Sequence, residues 1–357
     1  MKTVLLLLVS GLAPLFCMGT VRTVSNDPNN PAQFNTVQAA INASVHGDTV
    51  YVNGTQFPYA DFTINKRLVM IGAGYKVANQ LNLISYVNQI SLFRDAGVND
   101  ASGSIIMGFY IYCRVTTAGG SMPISNLTLH RNVLGAGGCV PGASISNANN
   151  WLIYNNIMYG AGLDAASTNI LIQNNILTNS ISGGNQSSII IDHNIFQNSG
   201  LNNIRFATIT NNIFVRNSGN ILDANVTSNT FNNNLSILTT IGPTAPTNSF
   251  LGGPNTGAGN FVGVDPLFES VADFNTFNYN NNYRLKNTST VRNAGTDGTD
   301  LGIYGGSYPF PSGGAPGSGY DTSPLPPIPQ ITSANIQNSS LQPGAQLQIN
   351  IQATVNN

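Results

Sequence analysis

Between residues 127 and 231 the chain repeats one short pattern of apolar and polar positions: LTLHRNVL (127 to 134), WLIYNNIM (151 to 158), ILIQNNIL (170 to 177), IIIDHNIF (189 to 196), ATITNNIF (207 to 214) and ANVTSNTF (224 to 231). Each copy alternates apolar and polar residues as a strand with one buried face does, then breaks at an asparagine and resumes. Aligned on that asparagine, the copies place Asn132, Asn156, Asn175, Asn194, Asn212 and Asn229 in one column, 17 to 24 residues apart. IIMGFYI (105 to 111) reads as one further copy, with Gly108 in the asparagine column. A period near 20 built from strand residues predicts a β-solenoid. Three columns point inward: five before the asparagine (Leu127, Trp151, Ile170, Ile189, Ala207, Ala224), three before it (Leu129, Ile153, Ile172, Ile191, Ile209, Val226) and two after it (Leu134, Met158, Leu177, Phe196, Phe214, Phe231).

Asparagine is depleted in strands, so its recurrence needs a cause. An amide both donates and accepts, and copies stacked one strand spacing apart (about 4.8 Å) can hydrogen-bond along the axis as a ladder where the coil turns a corner. The preceding residue, Asn155, Asn174 or Asn211, suits the left-handed backbone of a tight bend. Two outward columns are also apolar. One lies four before the ladder (Thr128, Leu152, Leu171, Ile190, Thr208, Asn225) and the other one after it (Val133, Ile157, Ile176, Ile195, Ile213, Thr230). Such columns need a cover: the segment 232–262 or the C-terminal strands, or else a glycan, another protein or a second copy of the chain.

These repeats resemble the right-handed parallel β-helix of the pectin-lyase-like superfamily, and in particular secreted bacterial β-helix repeat proteins. That resemblance implies three strands per coil and an asparagine ladder at one turn. FNTVQAAINASVHGDTVYVNGTQF (34 to 57) resembles the start of such proteins, an amphipathic helix with Phe34, Val37, Ala40 and Ile41 on one face that caps the solenoid. FTINKRLVMIGAGY (62 to 75) resembles a first coil, while VDPLF (264 to 268), NYRLK (282 to 286) and residues 289–310 resemble the closing segment. The expected organisation is a signal peptide (1–19), a parallel β-helix (20–310), a Pro/Gly/Ser-rich linker (311–330) and a C-terminal β-hairpin segment (331–357).

The opening MKTVLLLLVSGLAPLFCMGT carries one charge, Lys2, before an apolar run too short to span a bilayer, and reads as a secretory signal. Export to the outside of the cell or its surface is therefore expected. Charged residues are only 8% of the chain and the formal net charge is -1. That composition offers no basic stripe for nucleic acid and no polybasic patch for lipid, and no later segment is long enough to span a membrane.

Candidate chemistry is sparse. Lyases of the resembled superfamily pair an Arg or Lys base with calcium held by several acids, its hydrolases need clustered carboxylates, and its esterases pair aspartates with an arginine. Here Glu269 is the only glutamate, and Asp164, Asp192 and Asp223 fall at different places in their copies. No calcium nest and no other cofactor is expected. Arg205 and Asp223 should be neighbours in adjacent coils, reading as a surface ion pair before a catalytic one. His130 and Asp192 share an outward column three coils apart, too far to pair. His130 and His193 read as solvated, and Asp297 to Asp300 (DGTD) as turn caps before a calcium loop. Cys113 and Cys139 fall in adjacent coils, which leaves a disulfide open. An exported carbohydrate-binding or structural surface protein is the expected function. A polysaccharide lyase or glycoside hydrolase, with Asp192, Arg205 and Asp223 as candidate residues, and a self-associating surface component are the alternatives.

Overall fold

The computed structural model describes residues 19–74, 83–117, 120, 122–139, 141–186, 188–223, 225–239, 250, 252–310, 329–336, 347 and 349–355. All of the expected signal segment except Gly19, and almost all of the expected linker, lie outside them. The chain winds into a parallel β-helix of about nine turns. Successive coils contribute strands in turn to an 11-stranded and a 12-stranded sheet.

Alternation within each copy explains the stacking. Ile153 pairs with Ile172, Ile172 with Ile191 and Ile191 with Ile209, and all four are fully buried. The neighbouring columns Trp151, Ile170 and Ile189, and Met158, Leu177 and Phe196, are equally enclosed. Each such side chain contributes about 1.5–3 kcal/mol only when a coil lies on either side of it, so the solenoid is stable as a stack and not coil by coil.

Strands of the second sheet bend. In Ile157–Leu163 the register slips after Met158, at Tyr159 and Gly160, the latter at φ +79°. Ile157 and Met158 pair with Val133–Leu134, whereas Ala161 to Leu163 pair with a separate strand, Ala143–Ile145. The middle coils therefore present three faces, two of them joined in one continuous sheet.

The asparagine ladder runs from Asn132 through Asn156, Asn175, Asn194 and Asn212, each Nδ2 donating to the next Oδ1 at 3.0–3.1 Å. Each Oδ1 also accepts the backbone N–H of the ladder residue one coil back, as Asn175 Oδ1 does from Asn156 N at 2.9 Å. Asn155, Asn174 and Asn211 take the left-handed corner at φ +55°, +53° and +60°.

At both ends the register differs from the sequence alignment. Asn212 donates to Asn234, not Asn229, and Asn234 to Asn260. Thr208, Ile209 and Thr210 pair with Thr230, Phe231 and Asn232. Phe231 thus belongs three before the ladder, Leu235 takes the place assigned to Thr230, and Asn229 starts a short second ladder with Asn255 at 3.3 Å. The coil from Asn212 to Asn234 spans 22 residues instead of 17, and the run FNNNL offers three asparagines to align on. Upstream, Asn132 Oδ1 accepts from Phe109 N at 3.0 Å, so Phe109 occupies the ladder column and Gly108 the left-handed corner before it, at φ +77°.

The stack also begins earlier than 62, because Val21–Val24 pairs with Thr49–Val52. The helix Val37–Ala43 packs on this end with Val37, Ala40 and Ile41 buried, and Thr36 caps it by accepting from Ala39 N at 3.2 Å. Beneath it Asp48 accepts from Thr20 N and Val45 N and pairs with Arg22 at 3.3 Å. At the other terminus Pro329–Ile336 and Ile349–Val355 pair antiparallel.

Candidate functional site

Residues 264–310 do not close the end of the stack. They run back along its outside as a strap and form a second apolar cluster with the column one after the ladder. Val133, Ile157, Ile176, Ile195 and Ile213 are buried against Phe268, Tyr283, Leu285, Val291, Leu301, Ile303 and Phe310. The chain covers its own apolar column with this strap, and Leu235, Ile237 and Phe261, from the segment 232–262, extend the same cluster.

Corner side chains hold the strap down. Asn174 Nδ2 donates to Ile303 O and Gly305 O at 3.0 and 2.8 Å, and Asn233 Nδ2 to Ala294 O at 2.7 Å. The Asn155 amide donates to Tyr308 O at 2.9 Å, and Asn211 Nδ2 to Thr296 Oγ1 at 3.0 Å. Gln197 Nε2 donates to Thr276 O at 2.9 Å, while the buried Tyr283 hydroxyl bonds to the Gln197 carbonyl oxygen. The asparagines read as bend residues thus also anchor a distant segment.

His193 takes the same corner slot, at φ +51°, and is only 1% exposed. It is not solvated, because the strap covers it. Its Nδ1 lies 2.8 Å from Asp192 Oδ2, and its Nε2 lies 3.2 Å from Thr299 Oγ1 and 3.7 Å from Asp297 Oδ1. The Asp297 carboxyl is held below its ordinary pKa: burial opposes ionisation, but the Thr299 N–H and hydroxyl and the His193 charge outweigh it. A hydroxyl, an imidazole and a carboxylate in line resemble a nucleophile and its base. Here, however, the Thr299 hydroxyl already donates its one proton to Asp297 at 2.8 Å and accepts from Gly306 N at 2.8 Å, so it has no proton to give to His193 and only a lone pair left to face Nε2. Asp192 also accepts from Thr210 and Asn211 at 2.7 and 2.9 Å. The constellation clamps the strap.

His130 is only partly solvated. Its ring stacks on Tyr154 at 4.8 Å, Tyr154 packs on Tyr308 at 4.5 Å, and burial, aided by the Arg131 charge, pushes its pKa down to about 4.

The remaining candidates do not gather into one centre. Arg205 bridges to Thr227 in the next coil, not to Asp223, because the longer coil moves Asp223 back beside Leu201, where it accepts from Asn225 N at 2.8 Å. Asp164 accepts from Ser167 and Asn147 N at 2.6 and 2.9 Å, and Arg216 bonds to Asn220 O. Among the described residues no three His, Cys, Asp or Glu side chains cluster as metal ligands.

The open surface lies on the third face. There Ser91 pairs with Thr116, Thr116 with Ser144, Ser144 with Gly162, Gly162 with Ser182 and Ser182 with Asn202. The inward partners Ile90, Val115, Ala143, Ala161, Ile181 and Leu201 are all buried, so this column points out. Six rungs one strand spacing apart make a strip about 24 Å long, five of them carrying a hydroxyl or an amide and the fourth a bare glycine, Gly162, over which Pro141 lies. A shallow hollow of about 360 Å³ lies along Ser144, Gly162, Ser182 and Asn202 with Asp164 on its edge, and a second of about 340 Å³, lined by Arg205 and by no rung of the strip, adjoins it through Leu163, Gly183 and Asn203. Sequence alignment missed this column because its rungs keep no fixed distance from the ladder. Ser144 falls twelve residues after Asn132, Gly162 six after Asn156, Ser182 seven after Asn175 and Asn202 eight after Asn194.

No protein-family model matches this chain, and no curated protein matches it.

Proposed function

We propose that this protein binds an extended, uncharged or weakly charged polysaccharide along the strip from Ser91 to Asn202, at or outside the cell surface, as a right-handed β-helix related to the pectin-lyase-like superfamily. The observation that carries the reading is the strip itself: six in-register, outward-facing rungs of Ser, Thr, Gly and Asn, the last four of which line a shallow hollow. Hydroxyls and amides donate and accept at once, as sugar hydroxyls do, and their spacing along the axis repeats on the scale of a sugar ring. The chain's low charge accords with a neutral partner.

Retention of the protein on a panel of insoluble and gel-embedded polysaccharides tests the reading. Ser182→Leu should abolish retention while changing stability by no more than about 0.5 kcal/mol. Unchanged retention, or none by the unsubstituted protein on any polysaccharide, would sink it. Because Asp164 and Arg205 line adjoining hollows, a lyase or hydrolase is the second reading. Release of unsaturated or reducing sugar ends, lost in Arg205→Ala, would establish that alternative.

A further inference from the structure

The loop 135–142 joins Val133–Leu134 to Ala143–Ile145 and contains Gly135, Gly137, Gly138 and Gly142. It crosses a bulge in the strand Phe109–Thr117, where Tyr112 and Cys113 together oppose the single Asn88. Gly135 N and Gly137 N donate to Ile111 O and Tyr112 O at 3.0 and 2.7 Å. Gly137 lies so close to the Tyr112 ring that a Cβ there would come within 2.3 Å of it. This fixed approach sets Cys139 against Cys113. Both thiols are free and half-buried, and Cys113 lies close enough to raise the pKa of the Cys139 thiol. Arg114 Nε donates to Cys113 Sγ at 3.5 Å, and the two cysteines together raise the pKa of the Arg114 guanidinium.

Two adjacent thiols suit either a soft metal or a disulfide, and Arg114 separates the two. The permanent cation beside Cys113 repels a metal ion but is a ready partner for the sulfur anion that exchange passes through, and among the described residues no third His, Cys, Asp or Glu joins the pair. We infer that Cys113 and Cys139 form a thiol–disulfide exchange site, closed to an intramolecular disulfide by a low-molecular-weight disulfide oxidant. The Cys113 thiolate attacks one oxidant sulfur, breaking its S–S bond and expelling one thiolate, which takes up the Cys113 proton. Cys139, losing its proton to the second leaving thiolate, then attacks Cys113 Sγ of the mixed disulfide. Two electrons pass to the oxidant, which leaves as two thiols. The closed bridge staples the glycine-rich loop to its neighbouring coil just ahead of Ser144, whether or not that residue binds sugar.

The test is incubation of the reduced full chain with oxidised glutathione, then alkylation of free thiols and peptide mapping without reduction. The expected product is one linked pair of peptides carrying Cys113 and Cys139, lighter by two hydrogens, with Tm raised by several degrees over the reduced protein. Cys139→Ser should remove the link and the Tm rise, and Arg114→Gln should slow closure about three- to tenfold. Full alkylation of both cysteines, glutathione retained on both without a link, a link through Cys17, or stoichiometric Zn²⁺ binding that protects the pair would each overturn the inference.

Discussion

Two outward columns flank the same corner with the same kind of side chain and meet opposite fates. Ile157, Ile176 and Ile195, one residue after the ladder, are fully buried, whereas Leu152 and Leu171, four residues before it, are half-buried and Ile190 is 40% exposed. Apolar character alone therefore does not say what covers a face. The difference lies in the polar residues alongside. Asn155, Asn174, His193 and Asn211, at the corner, and Gln197 offer groups that bond to residues 273–308 of the strap. Covered isoleucines and their anchors form one device: the column supplies the burial, and the corner residues set where the strap lies.

The sharpest way to break this comparison is to charge each column. Ile176→Asp places an unpaired carboxylate beneath the strap and should cost about 4 kcal/mol in urea unfolding. Ile190→Asp should stay within about 0.5 kcal/mol. Equal effects would mean that the columns do not differ in solution. The self-association alternative now belongs to the Leu152, Leu171 and Ile190 face, since Ile176 and Ile195 are not available to a second copy.

Next in size is the corner itself. Asn175→Leu removes the acceptor for both Asn156 N and Asn156 Nδ2 and should cost about 3 kcal/mol by the same measurement. A loss below about 1 kcal/mol would argue against the ladder.

The strap's end at Tyr308 adds a pH dependence. The half-buried His130 has its pKa lowered to about 4 from an ordinary 6.5, so the unfolded chain takes up the proton first. Its contribution is full above pH 6.5 and lost as pH falls from 6.5 towards 4, by about 2 kcal/mol once partial exposure is allowed for. His130→Phe should flatten that part of the stability–pH curve, and an unchanged slope would place the proton elsewhere.

The smallest effect expected is at one anchor. Asn174→Ala deletes two bonds to the strap and should cost about 1 kcal/mol, with faster proteolytic cleavage within 268–310.

What the sequence made legible follows the range of the interactions. The inward columns and five ladder residues, Asn132 to Asn212, depend on neighbouring copies of one pattern, so their periodicity exposes them. Alignment failed at Asn229 and Gly108, where the coil length changes and several asparagines, or none, compete for the column. The strap was not legible: His193 meets Thr299 106 residues away, and no local pattern encodes that contact. The hydroxyl strip was hidden because insertions between ladder and third face differ in every coil. Arg205 and Asp223 looked adjacent only because the last coil was assigned five residues too few.

Hydroxyl-radical footprinting read by mass spectrometry tests the central claim most directly, since it labels exposed aliphatic side chains at single residues. Leu152, Leu171 and Ile190 should be labelled in the native protein, and Ile157, Ile176 and Ile195 protected until the strap is cut or the chain unfolded. Comparable native labelling of both sets would contradict the covered face on which this account rests.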